Sequence, residues 1–437
     1  MTTKNNSLAN NAPELQRKIA SGSQNPSDYS DLANLEFEAG RYDEAVSLRQ
    51  RALTLTLTNV QRGRMHWELA WLYEALERTQ EALEQAEKTK EVLATERKSP
   101  AVLFLLATAE SLSAQCSEDP DTSNTRGRSA LRGLNQLIAE APDFENIAFA
   151  YGQVAQLHNL LGEPEEAARL CEQVLQKDLD PRERLDCLLV FSEALRLTER
   201  FGEAENALVE ALTWAESDRG RLPRLYFSLG LIRNSLNRSE GAQEAFRKAL
   251  TEIESQPFLP DNPTLIKEIY WNLGQMFSEL EDYKSAVITF QKLLPLYPED
   301  DLYRRDVLVS LGESHHEAGN LPEARNCYEQ VLNSPHASEN EKASTQQGIG
   351  KIYYDLEEYD EAIAAFQAVV DHITWELPFY GDTLLWLGNC YYAKGDYKSA
   401  SDCYRKVLLS TSASERDRTA AQDYITQLPK PFRVTLQ

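Results

Sequence analysis

Leu387-Gly388-Asn389-Cys390-Tyr391, followed by Gly395-Asp396-Tyr397, Ala400, Tyr404 and Val407-Leu408, is the stretch from which the fold can be read. The same order of residue types stands upstream as Ile349-Gly350, Tyr353, Tyr359, Ala362, Phe366 and Val369-Val370. It stands again as Leu273-Gly274, Phe277, Tyr283, Ala286, Phe290 and Leu293-Leu294. Self-similarity at a fixed period signals a stacked array rather than separate globular domains. One small residue traces the array through Ala33, Ala70, Ala107, Ala155, Ser192, Gly230, Gly274, Gly312, Gly350 and Gly388, mostly 37 or 38 residues apart. An alanine follows twelve residues later in nine of the ten copies, from Ala45 to Ala400, and Ala130 takes that role in the third. Small residues at fixed places on two successive helices let their backbones approach closely. A bulky side chain four residues on (Phe246, Phe290, Tyr328, Phe366, Tyr404) then fills the next layer. One such antiparallel pair cannot bury its apolar face alone, whereas stacked neighbours can.

Two steps are longer. Between Ala107 and Ala155 the step is 48 residues, and the polar stretch from Ser117 to Asn124 reads as an inserted, solvated loop. Between Gly230 and Gly274 it is 44, and Pro257, Pro260 and Pro263 read as a stiff linker that stops a helix.

This recurring set of Leu-Gly, aromatic, Gly-x-Tyr, Ala, aromatic and paired aliphatics resembles the tetratricopeptide repeat family over about residues 26 to 410. The match is strongest from Tyr270 to Leu409. It weakens in the second copy, which has Thr79 and Ala86 where large residues are expected, and in the interrupted third. The resemblance implies an all-α fold, a right-handed α-solenoid (superhelix) of about ten antiparallel helix pairs, with no catalysis of its own. The organisation expected is a disordered N-terminal head (1–25), an N-terminal array (26–256) with an insertion at 117–127, and a Pro-rich linker (257–264). A C-terminal array (265–411), a capping helix (412–428) carrying Ala421, Tyr424 and Ile425, and a short extended tail (429–437) follow.

Composition narrows the function. Across 437 residues, 45 Lys and Arg face 69 Asp and Glu, a formal charge of −24. Nucleic-acid backbones and anionic membrane surfaces both need a basic footprint, so neither is an expected partner. The longest apolar run, Ala101 to Ala107, is far short of the ~20 residues that span a bilayer. The first 25 residues hold no apolar stretch after a basic start, so a cytoplasmic location is expected. Six cysteines form no CxxC pair and read as reduced, mostly buried thiols.

Motifs for chemistry fail one by one. No phosphate-cradling GxxxxGK[ST] exists. Gly348-Ile349-Gly350 lacks the third glycine of a dinucleotide loop (Tyr353), and it suits a close helix interface better. Gly312-Glu313-Ser314 is no nucleophile elbow, because His316 stands where the closing glycine belongs. Asp119-Pro120-Asp121-Thr122-Ser123 opens like a calcium loop, but Asn124 and Ala130 replace its glycine and glutamate. His158 and His315 occupy core-aromatic positions, and the adjacent His315 and His316 diverge by about 100° on a helix, too far for one metal. No enzyme activity, metal or cofactor is expected.

Arrays of the family bind peptides or extended segments on the concave surface lined by their first helices, so the resemblance implies a protein or peptide partner there. Residues three before, one after and four after each small residue lie away from the inter-repeat seam. Those positions give Trp67, Trp71 and Glu74; Phe227, Leu231 and Asn234; Trp271, Gln275 and Ser278. In the last two copies they give Gln347, Lys351 and Tyr354, then Leu385, Asn389 and Tyr392. The aromatics either anchor a partner or pack between repeats. Glu74, Glu193 and Glu313 favour a partner carrying Lys or Arg beside apolar anchors. The leading function is therefore an interaction scaffold or adaptor. The alternative is a regulatory sensor whose superhelix responds to a peptide or small ligand.

Overall fold

Side-chain oxygens and prolines set the helix starts. Asn25, Ser99, Asp119 and Asp180 each accept a backbone N–H of the first turn, and each is followed by a proline whose missing N–H is not needed there. Thr58, Ser338 and Ser414 form reciprocal capping boxes with Gln61, Glu341 and Asp417. The turns within pairs are as regular. In nine pairs the residue seven after the small one has positive φ: Gly40, Gly162, Gly319 and Gly395, but also Glu77, Glu199, Asn237, Glu281 and Glu357. A left-handed residue there satisfies the last carbonyls of the first helix and turns the chain into the second.

The computed structural model describes residues 12–215, 219–255, 263–372, 380–410 and 413–432, which form helices and short connections with no strand among them. After α1 (Ala12–Ala20) come α2 (Pro26–Glu38) with α3 (Tyr42–Ala52), α4 (Asn59–Ala75) with α5 (Thr79–Leu93), and α6 (Pro100–Gln115) with α7 (Pro120–Glu140). Next are α8 (Ile147–Leu160) with α9 (Pro164–Leu175), α10 (Pro181–Leu197) with α11 (Phe201–Trp214), and α12 (Leu222–Ser235) with α13 (Ser239–Ser255). The last four pairs are α14 (Pro263–Glu279) with α15 (Tyr283–Leu293), α16 (Leu302–Glu317) with α17 (Leu321–Leu332), α18 (Glu339–Asp355) with α19 (Tyr359–His372), and α20 (Tyr380–Ala393) with α21 (Tyr397–Leu409). Helix α22 (Glu415–Gln427) ends the array. The fold is an all-α solenoid of antiparallel pairs. It divides into two compact units, residues 1–269 and 270–437.

The small residues do what their spacing requires. A Cβ added at Gly230, Gly274, Gly312, Gly350 or Gly388 would sit 2.5–2.7 Å from the ring of Phe246, Phe290, Tyr328, Phe366 or Tyr404, sixteen residues on. Those five rings are essentially fully buried. Tyr328 is held between two glycines, since a Cβ at Gly348 would also meet its ring at 2.7 Å. The five earlier copies carry Ala or Ser at the small position, and their partners are never aromatic: Arg49, Ala86, Leu134, Cys171 and Leu208. Glycine at the small position thus goes with a ring, and Ala or Ser with a side chain that is not aromatic.

Several segments differ from the sequence reading. The head is not wholly disordered: Leu15 and Ile19 of α1 are buried against Tyr29 and Leu32, while residues 1–11 lie outside the described residues. The 117–127 stretch is no inserted loop. From Pro120 it is the first part of the 21-residue α7, and Asp119 is its N-cap, accepting the Thr122 N–H at 2.8 Å. The extra residues lengthen a helix. Pro263 begins α14, while 257–262 lie outside the described residues. Residues 430–432 of the tail form a 3₁₀ turn, with Phe432 6.0 Å from the Tyr397 ring, and 433–437 are not described. All six cysteines are free thiols, and only Cys116 is not fully buried.

Candidate interaction surface on the first helices

Seven residues are nearly two helical turns, so positions six before, three before, one after and four after the small residue share one face. The two units use this face differently.

In unit 1 the second to fourth pairs fill it. Trp67 and Trp71 come together with Phe104 of α6 and Phe149 of α8. Trp67 lies 5.5 Å from Phe104 and its indole N–H donates to Thr108 Oγ1 at 2.8 Å, and Trp71 lies 5.6 Å edge-on to Phe149. Arg64 of α4 pairs with Glu145 before α8 at 3.6 Å. Helices α4 and α8 thus meet over α6, and eleven of the sixteen α6 residues are buried. That fits its near-continuous apolar sequence, since a helix hydrophobic all round must be covered all round. Both tryptophans are half-buried inter-repeat packing, and Phe149 is the most open ring of the cluster at 37%. Phe227 is also core, only 4% exposed and 5.8 Å from Phe246, because its position leans toward the pair's own second helix. Asn234 is half-buried on α12. At the start of α14, Thr264 Oγ1 donates to Glu77 Oε2 at 2.7 Å, which ties this end of the unit to the turn after α4.

In unit 2 the face is a polar ladder. Gln275 donates to Ser310 at 3.3 Å, and the Ser278 and Ser314 hydroxyls lie 3.3 Å apart. Gln347 donates to Asp382 at 3.1 Å and to Thr383 at 2.9 Å. Lys351 Nζ lies 3.1 Å from Asp382 Oδ2 and 5.5 Å above the Trp386 ring. The half-buried Asn389 accepts the Tyr404 hydroxyl at 2.8 Å through Oδ1. Trp271 is half-buried, 6.0 Å from Phe290, and half-buried Tyr354 packs on Trp386 at 5.3 Å. Tyr392 is 41% exposed. Gln275, Glu313, Lys351 and Asn389 occupy one position on four successive first helices.

The acidic members of this face are shifted by their surroundings. Glu74 and Glu313 are exposed by surface area, yet surrounding protein raises both carboxyls above the ordinary range. For Glu74 the nearby Glu77 adds to the effect. For Glu313 the neighbouring Lys351 opposes it. Asp306, seven residues before Glu313, is raised by the same cause, with Glu341 adding and Arg305 opposing. Asp306, Trp386 and Phe149 were missed by a reading restricted to three positions per helix; extending it to the residue six before the small one would have found Asp306 and Phe149.

Five stretches, 28–94, 150–185, 223–255, 267–300 and 303–415, match family models described as tetratricopeptide repeat, together more than half of the chain. The chain belongs to the tetratricopeptide repeat family. The matched stretches leave out 95–149, which contains α6 and α7. Among solved structures, the chain is similar to a Rap protein complexed with competence and sporulation factor, at 14% identity and a TM-score of 0.51, over 79% of this chain and 96% of that one. It is also similar to the Cut9–Hcn1 hetero-tetramer of the APC/C (13% identity, TM-score 0.38, 96% and 94%). Yeast Tom70 matches at 12% identity and a TM-score of 0.39, over 97% and 93%. At 14% identity the likeness to the Rap protein is one of fold. Tetratricopeptide arrays support a protein-interaction scaffold. Among the described residues no helix is long and apolar enough to cross a membrane.

Proposed function

We propose that this tetratricopeptide protein is a non-catalytic scaffold that holds an extended peptide segment along the first helices of unit 2. The observation that carries the reading is that Gln275, Glu313, Lys351 and Asn389, at one position on four successive first helices, each keep part of their surface open beside the half-buried Trp271 and Tyr354 and the exposed Tyr392. Asn389 and Gln275 offer amide groups to a partner backbone, and Trp271, Tyr354 and Tyr392 offer apolar edges for anchoring. The Glu313 carboxylate favours Lys or Arg beside those anchors. In unit 1 the matching surface at α4, α6 and α8 is occupied by its own rings, so the partner contacts are assigned to unit 2.

The test is affinity capture from the native organism's extract with mass spectrometry, comparing the wild type with a Trp271→Ala/Tyr354→Ala variant. The variant should lose the specific partners while circular dichroism reports unchanged helicity. A folded variant that retains the same partners removes unit 2 from the reading.

A further inference from the structure

The connection from α15 to α16 exposes apolar side chains that the repeat frame does not require. Leu302 and Tyr303, the first two residues of α16, are 52% and 62% exposed. Ten and nine residues before the small residue, the ninth copy carries Asn340 and Glu341 and the fifth carries Arg182 and Glu183. Packing of a helix pair therefore needs nothing apolar at these positions. The Tyr303 ring lies 6.0 Å from that of Tyr297, and Leu296 of the same connection is also exposed. The segment is held in this shape. Arg304 donates to the carbonyls of Leu294 at 2.8 Å and Tyr297 at 3.3 Å, and Asp301 accepts the Tyr303 N–H at 2.8 Å. These bonds also set the charge. Arg304 is engaged by backbone carbonyls and Arg305 by Glu341, whereas Glu299 and Asp300 are exposed and have no cation partner among the described residues.

We propose that this connection is a second docking surface, for a protein segment that sets one aromatic or branched aliphatic side chain against Leu302 and Tyr303 and a Lys or Arg opposite Glu299 and Asp300. An exposed tyrosine beside leucines, held by its own backbone bonds, offers an ordered anchor site at little entropic cost. The acidic residues beside it choose the partner's charge. Like charge disfavours a second copy of this chain, which carries −24, and an anionic lipid surface equally. Asp300 stands three residues from Tyr303, at most about 10 Å along the chain, so the partner's cation belongs within about three residues of its apolar anchor. The surface is separate from the proposed groove. Glu313 lies eleven residues, about 16 Å, further along α16, and the inference does not depend on the proposed function.

The experiment is display of random twelve-residue peptides on the full chain, depleted at each round on a Leu302→Asn/Tyr303→Glu variant. That variant takes the residues the ninth copy carries at the same positions, so circular dichroism should report unchanged helicity. Should it lose helicity, Tyr303→Ser alone repeats the comparison. Enriched peptides should carry an aromatic or branched aliphatic residue within three residues of Lys or Arg. The best of them, synthesised, should bind about tenfold more weakly to the depletion variant and about threefold more weakly to Glu299→Gln/Asp300→Asn, with further weakening at high salt. Glu415→Gln, on the capping helix, should leave binding unchanged. Enriched peptides without a basic residue overturn the inference, as does a selection in which no peptide distinguishes the wild type from the variant. A dimer in sedimentation velocity that the variant lacks assigns the surface to a second copy and overturns it. A peptide lost with Trp271→Ala/Tyr354→Ala but kept by the Leu302/Tyr303 variant belongs to the groove, which overturns this inference and leaves the proposed function standing.

Discussion

Repeats two to four and repeats seven to ten are built on one sequence frame, yet the first packs this face with rings and the second lines it with hydrogen-bonded polar side chains. At the position three before the small residue, unit 1 places Trp67 and Phe104, and these interlock with Trp71 and Phe149 across three repeats. At the same position unit 2 places Trp271, Val309, Gln347 and Leu385, and its first helices are joined by hydrogen bonds and the Lys351–Asp382 pair. The packing frame fixes a helix pair, while the residues outside the frame decide whether a surface becomes core or binding site. Stability should therefore concentrate in the unit 1 cluster and recognition in the unit 2 row.

The largest expected effect breaks the filled surface. Phe104 is buried and touches Trp67, Phe144 and Phe149. Phe104→Ala removes a large ring from a site pinned on three sides and should cost about 3–5 kcal/mol. Urea unfolding followed by tryptophan fluorescence and circular dichroism would read it as an early loss of unit 1 structure. Lys351→Met in unit 2 breaks a partly exposed pair and should cost about 1 kcal/mol or less. Equal losses for the two variants would erase the distinction.

Next comes the volume exchange between glycine and ring. Gly350→Ala gains about 1 kcal/mol of helix propensity but drives a methyl into the Phe366 ring at 2.7 Å, and overpacking of this kind costs about 1–3 kcal/mol. A net loss of about 1 kcal/mol is expected. In a Phe366→Leu background the same change should become neutral or stabilising, a coupling that a double-mutant cycle measures directly. An uncoupled pair would mean that the backbones separate without resistance.

The frame was legible from one chain because glycine, alanine and ring recur at fixed intervals. The ten pairs and their turns follow from it. What escaped reading was hidden by context rather than by weak signal. Asp119-Pro120 is an N-cap followed by a first-turn proline, as Asn25-Pro26 and Asp180-Pro181 are, but eleven extra residues beside it suggested a loop. Ala86 looked like a defect because its pairing with Ala70, rather than a glycine, is visible only when both positions are compared. Trp67 and Trp71 stand at surface positions of the frame. Only the all-apolar face of α6 hints that α4 and α8 must close over it.

Smaller is the effect at the turns. Glu281 and Glu357 hold φ of 59° and 61°, where an L side chain is strained by about 1–2 kcal/mol and glycine is not. Glycine regains only part of this, because it also adds freedom to the unfolded chain. Glu281→Gly and Glu357→Gly should each stabilise unit 2 by about 0.5–1 kcal/mol, seen as a higher urea midpoint with an unchanged slope. Gly319→Ala, at φ 80°, should move it the opposite way.

The smallest effect sharpens the recognition side. Surrounding protein raises the Glu313 carboxyl, with Lys351 and His316 opposing and Glu317 adding. A carboxyl raised in the fold favours its neutral form there, so its ionisation weakens the folded state. The penalty is absent below the unfolded value near 4.5, grows as pH rises through the raised folded value, and stays constant above it. Glu313→Gln should therefore be slightly more stable than the wild type at neutral pH, by about 0.5 kcal/mol or less, and equal to it at pH 4. A bound partner cation reverses the sign, because an opposite charge holds the carboxyl ionised. With a basic peptide bound, the wild type should gain more stability at pH 7 than at pH 4, and the variant should gain equally at both. Paired thermal melts at the two pH values, with and without peptide, separate a carboxylate whose charge is merely tolerated from one that receives its counterpart.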